Sequence, residues 1–271
     1  MITQKAAEEA LSAGDRAKFD SLTAASPEAW ELLPEVQVAI DAATKSAQSS
    51  IAMAYTMNSL RKIAEGKAAN GRLTSEAQDC LRSALLFSGA GLDTALKRLV
   101  QHAVPTLIGS EAAVETQFQD YSKKRIQNKS DGVDPKELMM LLLSEAKSPR
   151  EVLLERWVYD LRAASAQSAS RVMELATACG VAEKGLRRRF TPTQKKTSLL
   201  EQAFTARNEI AHELDVTEPA EGARKALEQI RAYRKAATIQ EWCQEILDVT
   251  QDIINDVARR LKETEASQKS V

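Results

Sequence analysis

The sequence predicts an all-α protein folded as an up-and-down helical bundle with an additional N-terminal helical extension. Glycine and proline are scarce, at 10 and 7 among 271 residues, and residues of high helix propensity dominate. Apolar residues recur at spacings of three and four along several segments, as the buried face of a helix requires. No stretch alternates polar and apolar residues for long enough to predict a strand. Long helices joined by short connections favour a bundle.

Turn residues divide the N-terminal half of the chain. A long helix is predicted from about Glu35 to the Asn70-Gly71 turn. The next helix is expected to end at Val104-Pro105 and Ile108-Gly109-Ser110. Within that second helix, Gly89-Ala90-Gly91 predicts the close approach of a neighbouring helix. It does not fit a phosphate loop, because no strand precedes it and no Lys-Ser/Thr pair follows it. Asn128 to Asp134 is interpreted as a polar connector.

The C-terminal half is expected to hold three further elements before its last long helix. Ser148-Pro149 begins a helix that is predicted to continue to Cys179-Gly180. A basic loop is predicted from Gly185 to Thr197, and a helix from Ser198 to Leu214 follows it. We expect the chain to comprise a helical extension at residues 1–70, a helical core at residues 71–262 and a polar tail at residues 263–271.

The composition of the chain indicates where in the cell the protein is expected and which partners it is expected to bind. The N-terminus lacks the apolar core of a signal peptide, and no run of ~18 apolar residues predicts a membrane span. The cysteines, which form no Cys-x-x-Cys motif, suit a reducing environment, so we expect a cytoplasmic protein that has no membrane partner. The net charge of −1 gives no general attraction to nucleic acid, so any such site must be a local basic patch.

Histidine content limits metal chemistry. The chain has two histidines, His102 and His212, so a multi-histidine metal site cannot be built within one chain. We therefore expect no metal and no cofactor. His102, which precedes Pro105 near a helix end, is interpreted as a cap or a residue at the edge of the core.

The most informative segment is SLLEQAFTARNEIAHEL, from Ser198 to Leu214. Arg207 falls at the centre of its apolar stripe, where leucine or alanine is expected. A guanidinium in that row is costly unless it is paired or used, because it cannot lose its charge. His212 lies about 140° round the helix from Arg207 and one turn after Asn208. A site that uses both Arg207 and His212 must therefore lie where a second surface wraps around the end of this helix.

Arginine and histidine together suffice to cleave RNA. An imidazole can take the proton of a ribose 2′-hydroxyl or give one to a leaving 5′-oxygen, and a guanidinium can hold two phosphate oxygens. This route needs no metal and spares DNA, which lacks the nucleophile. Each residue also has a simpler interpretation: His212 as a surface group at a helix C-terminus, and Arg207 as a side chain that snorkels from the core rim.

Arg207-Asn208-x-x-x-His212 resembles the Arg-x4-His signature of the HEPN superfamily, whose motif is also helical and has a polar residue after the arginine. The sequence RNEIAHELD, followed by a charged connector and a long helix, is similar to the RiboL-PSP type of HEPN domain. The segment from Leu81 to Val100, with Asp93 after a small residue and a leucine, resembles the first core helix of such domains. The resemblance covers about residues 74–262.

The resemblance implies an up-and-down bundle that forms a homodimer, with two motifs facing one shared cleft. It implies that Arg207, His212 and Asn208 are catalytic and that Asp93 is auxiliary. It also implies an RNA substrate, 2′,3′-cyclic phosphate and 5′-hydroxyl products, a toxin or antiviral-defence role, and a regulatory or antitoxin protein as a further partner. The alternative is a non-catalytic HEPN-fold binding or scaffold module in a toxin–antitoxin or defence complex. An unrelated helical adaptor is a third interpretation.

A basic segment directly precedes the motif helix. It carries six positive charges and no acidic residue between positions 184 and 196. A segment of this kind predicts an RNA-binding edge that tracks phosphates, and the alternative is a solvated basic loop. The predicted RNA-binding residues are Lys184, Arg187, Arg188, Arg189, Lys195 and Lys196.

Overall fold

The computed structural model describes residues 8, 12, 19, 22–65, 72–127, 147–190 and 197–269. These residues are mostly helical, and the one β pairing among them is an isolated bridge between Val216 and Arg231. The all-α prediction is therefore confirmed for the described residues. In chain order the helices are α1 (Pro27–Leu32), α2 (Pro34–Glu65), α3 (Ser75–Leu107), α4 (Ala112–Gln127), α5 (Pro149–Ala163), α6 (Ala169–Ala178), α7 (Glu183–Phe190), α8 (Leu199–Glu213), α9 (Leu227–Ile230) and α10 (Ala236–Lys269), with a 3-10 turn at Pro219–Glu221.

Side-chain caps fix where the two helices of the candidate site begin. The hydroxyl of Thr74 accepts a hydrogen bond from the backbone N–H of Ala77 at the start of α3. At the start of α8, the Ser198 hydroxyl accepts from the N–H of Glu201, and the Glu201 carboxylate accepts from the N–H of Ser198. This reciprocal capping box satisfies two backbone donors that a helix start leaves open.

The central helix of the bundle is α3, which contacts α2, α5, α6, α8 and α10. Leucines along its length, including Leu85 and Leu92, are fully buried. Its small residues permit close packing: a Cβ added at Gly91 would lie 2.1 Å from the Cβ of Ala43 on α2. The predicted role of the Gly89-Ala90-Gly91 run is thus confirmed. The helix ends at Leu107, whose side chain is buried, so its end falls within the predicted stretch from Val104-Pro105 to Ile108-Gly109-Ser110.

Two predicted helix boundaries were wrong. The helix expected from Ser148 to Gly180 is split into α5 and α6, because the segment between them bonds to Asp93 of α3 instead of continuing the helix. The first part of the predicted basic loop is the helix α7, because Leu186 and Phe190, four residues apart, are both buried. The predicted connector from Asn128 to Asp134 lies outside the described residues.

One hydrophobic core extends across the predicted boundary at residue 70. Ile40 and Ile51 of α2 belong to the same buried cluster as the leucines of α3. His102 is exposed, with its Nε2 3.5 Å from a carboxylate oxygen of Glu35, so its interpretation as a cap or core-edge residue was wrong. Across the described ranges, every helix is too short or too polar to cross a lipid bilayer.

Candidate functional site

The motif helix α8 runs antiparallel to α3 along one side of the bundle. Arg207 of α8 lies against Gly89 of α3, and Asp215, just past the end of α8, contacts Arg82, two turns earlier on α3. The absence of a side chain at Gly89 leaves the room that the Arg207 side chain occupies. A Cβ at Gly89 would lie 3.3 Å from both Cγ and Nε of Arg207.

Arg207 is a half-buried cation with few partners. Its Nη1 donates a hydrogen bond to Oδ1 of Asn208 at 3.2 Å, and its Nε is buried without a hydrogen-bond partner. No carboxylate of the described residues lies within ion-pair distance of it. Burial lowers the pKa of the guanidinium, and the charge of Asp93 opposes that shift. A half-buried guanidinium without a carboxylate partner is suited to hold a phosphate oxygen.

Asp93 and Asn208 fix the loop between α5 and α6 against the site. Oδ1 of Asp93 accepts hydrogen bonds from the Ser165 hydroxyl at 3.1 Å and the Ala166 N–H at 2.6 Å, and Oδ2 accepts from Nζ of Lys97 at 2.9 Å. Nδ2 of Asn208 donates to the carbonyl of Gln167 at 3.3 Å. The structure therefore brings the predicted Arg207, Asn208 and Asp93 together, with Asp93 committed to holding the loop.

A cleft opens beside Asn208. Its volume is about 460 Å³, and it lies between α8 and the start of α6. Asn208 and Thr205 line it from α8, and Ser168 and Ser170 line it from the opposite side. The hydroxyl and amide groups can donate and accept hydrogen bonds, which suits the sugars and base edges of a nucleic acid. Glu201 also lines the cleft, and its carboxylate would repel a phosphate.

His212 lies on the last turn of α8 and is exposed. It stands about 7.5 Å further along the helix axis than Arg207, from five residues at the rise of an α-helix. Its side chain makes no hydrogen bond or ion pair with the described residues. The structure therefore places Arg207 and His212 on one helix but does not bring them to one face.

A buried ion network holds the end of α8, and the sequence analysis did not anticipate it. The buried Asp215 carboxylate lies 2.9 Å from Nε of Arg82 and 2.5 Å from Nη2 of Arg234. Nη2 of Arg234 also lies 2.7 Å from the carboxylate of Glu209 on α8. Leu214 and Asp215 both have a left-handed backbone, with φ of 51° and 64°. The available signals were Asp215 directly after the motif helix and Arg82 within an apolar row, because buried charges require partners.

The described part of the predicted RNA-binding segment contacts acidic residues. Arg189 lies 3.0 Å from a carboxylate oxygen of Asp252 and 3.6 Å from one of Glu245, both on α10. Burial raises the pKa of Glu245, Arg189 opposes this, and neighbouring carboxylates add to it. Of the other predicted residues, the structure does not describe the side chains of Lys184, Arg187 and Arg188, and Lys195 and Lys196 lie outside its described ranges.

The basic segment at residues 184–196 joins α8 at its N-terminal end, and His212 lies on the last turn of that helix. The 14 positions from Ser198 to His212 correspond to about 21 Å along the helix axis, so the point where the segment joins α8 is distant from His212.

The described residues contain no group of three or more histidine, cysteine, aspartate or glutamate side chains that could hold a metal ion. Burial raises the pKa of the Cys179 and Cys243 thiols to about 12, so neither is a ready thiolate ligand or nucleophile. No family model, curated protein or solved structure matches this chain.

Proposed function

We propose that this chain is a metal-independent endoribonuclease of the HEPN type. The observation that carries the proposal is Arg207, a half-buried cation without a carboxylate partner among the described residues, five positions before an exposed histidine on the same helix. Leaving a buried charge unpaired costs stability, so its retention needs a use. A phosphate oxygen would supply the missing partner.

In the proposed reaction, His212 accepts the proton of a ribose 2′-hydroxyl, and the 2′-oxygen attacks the adjacent phosphorus. The bond from phosphorus to the 5′-oxygen breaks, and the leaving oxygen takes a proton from an imidazolium. Arg207 donates hydrogen bonds to the non-bridging phosphate oxygens and offsets the charge that grows on them. The products are a 2′,3′-cyclic phosphate and a 5′-hydroxyl. DNA is inert because it has no 2′-hydroxyl.

Asn208 and Asp93 support this chemistry in different ways. Asn208 bonds to both Arg207 and the loop between α5 and α6, so it orients the guanidinium, and it borders the cleft. Asp93 is a positioning residue, since its oxygens accept hydrogen bonds from the loop and from Lys97. Its charge also favours the protonated Arg207.

The proposal includes a homodimer with a shared cleft. Arg207 and His212 point about 140° apart on α8, so a second motif helix would let the two chains line one site. On α3, Gly89 faces α8 and Gly91 faces α2, and the surface between them exposes Ala90 and Phe87, the latter by 45%. A small apolar face of this kind suits a self-complementary contact. Light scattering after size exclusion should give twice the mass of one chain.

The second candidate function is a non-catalytic binding or scaffold module with the same fold. The wide angle between Arg207 and His212 within one chain favours it, because a monomer does not assemble both groups on one face. The proposed toxin or antiviral-defence role, and a regulatory or antitoxin partner, rest on the resemblance of the motif to HEPN domains.

The test is cleavage of RNA and of matched DNA in the presence of a chelator. We expect RNA cleavage that persists in the chelator and falls by ~10²-fold or more in both His212→Ala and Arg207→Ala. Arg207→Lys should also be poor, because an ammonium lacks the guanidinium fork. His102→Ala is the matched control, since it removes the exposed histidine away from the motif. Activity that needs a divalent ion, or that survives in both folded motif variants, contradicts the proposal.

A further inference from the structure

A second polar cavity lies beyond the end of α8, outside the proposed cleavage site. Its volume is about 380 Å³, and among the described residues it is lined by four arginines and one acidic residue, Glu228. The arginines come from separate parts of the chain: Arg61, Arg72, Arg82 and Arg231. A volume of this size is in the range of small-molecule sites.

The inner wall of the cavity is held rigidly. Arg82 donates to Asp215, to Asp79 and to the carbonyl of Ala232 at 2.9–3.0 Å. Arg231 lies 2.9 Å from a carboxylate oxygen of Asp79 and donates to the Leu214 carbonyl. These guanidinium groups are therefore fixed before any ligand arrives, which lowers the entropic cost of binding.

The outer wall offers a cation and an aromatic ring. The guanidinium carbon of Arg72 lies 5.1 Å from the centroid of the Tyr233 ring, and the Tyr233 hydroxyl accepts a hydrogen bond from the Leu73 N–H at 3.3 Å. Arg72 forms no ion pair with a described carboxylate. Arg61, on the last turns of α2, lies 4.0 Å from Glu65 and completes this side. A planar cation beside a planar ring is the arrangement on which nucleotide bases stack.

We infer that this cavity binds the terminal phosphate of a nucleotide. Arg72 and Arg61 would hold the phosphate, and the Tyr233 ring would contact the base or sugar. Arg82 and Arg231, which are paired with Asp79, would fix the inner wall. A pocket of this volume and lining suits a free nucleotide or the end of an RNA chain. This inference does not rest on the proposed nuclease, since none of the lining residues belongs to the cleavage site.

The test is calorimetric titration of the full chain with inorganic phosphate, AMP and a short 2′-O-methyl oligoribonucleotide with or without a 5′-phosphate. The 2′-O-methyl groups block cleavage by 2′-hydroxyl attack, so binding is measured apart from nuclease activity. The variants are Arg72→Ala and Arg61→Ala. Arg224→Ala, at an exposed position outside the cavity lining, is the matched control. Thermal unfolding checks that each variant is folded.

We expect binding that requires the 5′-phosphate, weakens with salt, and weakens by about tenfold or more in Arg72→Ala and Arg61→Ala but not in Arg224→Ala. His212→Ala should bind like the wild type whether or not the chain is a nuclease. Binding of AMP and the oligonucleotide alike assigns the cavity to nucleotides in general, and binding of the oligonucleotide alone assigns it to RNA ends. No binding by AMP or the oligonucleotide, equal binding of the oligonucleotide without its phosphate, or unchanged affinity in both variants overturns the inference.

Discussion

Gly89 of α3 and Arg207 of α8 are in direct contact, and the space that the glycine leaves is filled by the arginine. The 3.3 Å distance from an added Cβ to both Cγ and Nε of Arg207 means that any side chain at position 89 must displace the arginine by a few tenths of an ångström. The position of the guanidinium, and hence of any phosphate bound to it, therefore depends on a residue of the neighbouring helix.

Gly89→Ala should consequently separate stability from activity. Alanine favours the helix by up to ~1 kcal/mol over glycine, so the melting temperature should change little. The displaced guanidinium should lower RNA cleavage by about tenfold, because small errors in position are costly in catalysis. Gly185→Ala is the matched control, because a Cβ at this α7 glycine meets no atom within 4 Å. Wild-type cleavage by a folded Gly89→Ala variant would refute this dependence.

The ion network around Asp215 should dominate the stability of the C-terminal end of α8. Asp215→Asn keeps a residue that tolerates the left-handed backbone but removes the charge between Arg82 and Arg234. We expect the free energy of unfolding in urea to fall by about 3 kcal/mol, because the buried Arg82 and the partly buried Arg234 lose their shared partner. The exposed Glu213→Gln serves as the control. A loss below about 0.5 kcal/mol, typical of surface substitutions, would show that the network contributes little.

Glu245 should make stability depend on pH in a definite direction. Burial raises the pKa of Glu245 in the folded protein above 4.5. The protonated side chain therefore contributes fully to the free energy of unfolding below about pH 4.5, and this contribution is lost as pH rises through the folded pKa. Glu245→Gln removes this penalty, and we expect it to melt at the same or a higher temperature than the wild type at pH 7. The difference should shrink as pH falls towards 4. A variant that is less stable at pH 7 would show that the pair with Arg189 outweighs burial.

Features set by local sequence could be predicted, whereas features set by contacts between distant residues could not. The helical setting of Arg207 and the close approach at Gly91 follow from local patterns, and both are present in the structure. The ends of α5 and α6 depend on Asp93, more than seventy positions away in the chain. The partners of Asp215 are 133 and 19 positions away, so no local pattern showed them.

The basic segment shows a second reason why the structure differs from the prediction made from the sequence. Its charges predicted a loop, but the buried Leu186 and Phe190 place residues 183–190 in a helix. Arg189 then meets Asp252 and Glu245, which no charge count along the segment could reveal. Composition identified the charges, while the tertiary packing determined what each charge contacts.

The ends of the RNA products test the proposed cleavage chemistry. A defined RNA is incubated with the protein in chelator, beside the His212→Ala variant, and the masses of the products are measured by mass spectrometry. We predict 2′,3′-cyclic phosphate and 5′-hydroxyl ends from the wild type, and at least ~10²-fold less product from the variant. A substrate with a 2′-deoxy residue at the cut position should resist cleavage there. Products with 5′-phosphate and 3′-hydroxyl ends, or no products from folded dimeric protein, would contradict it.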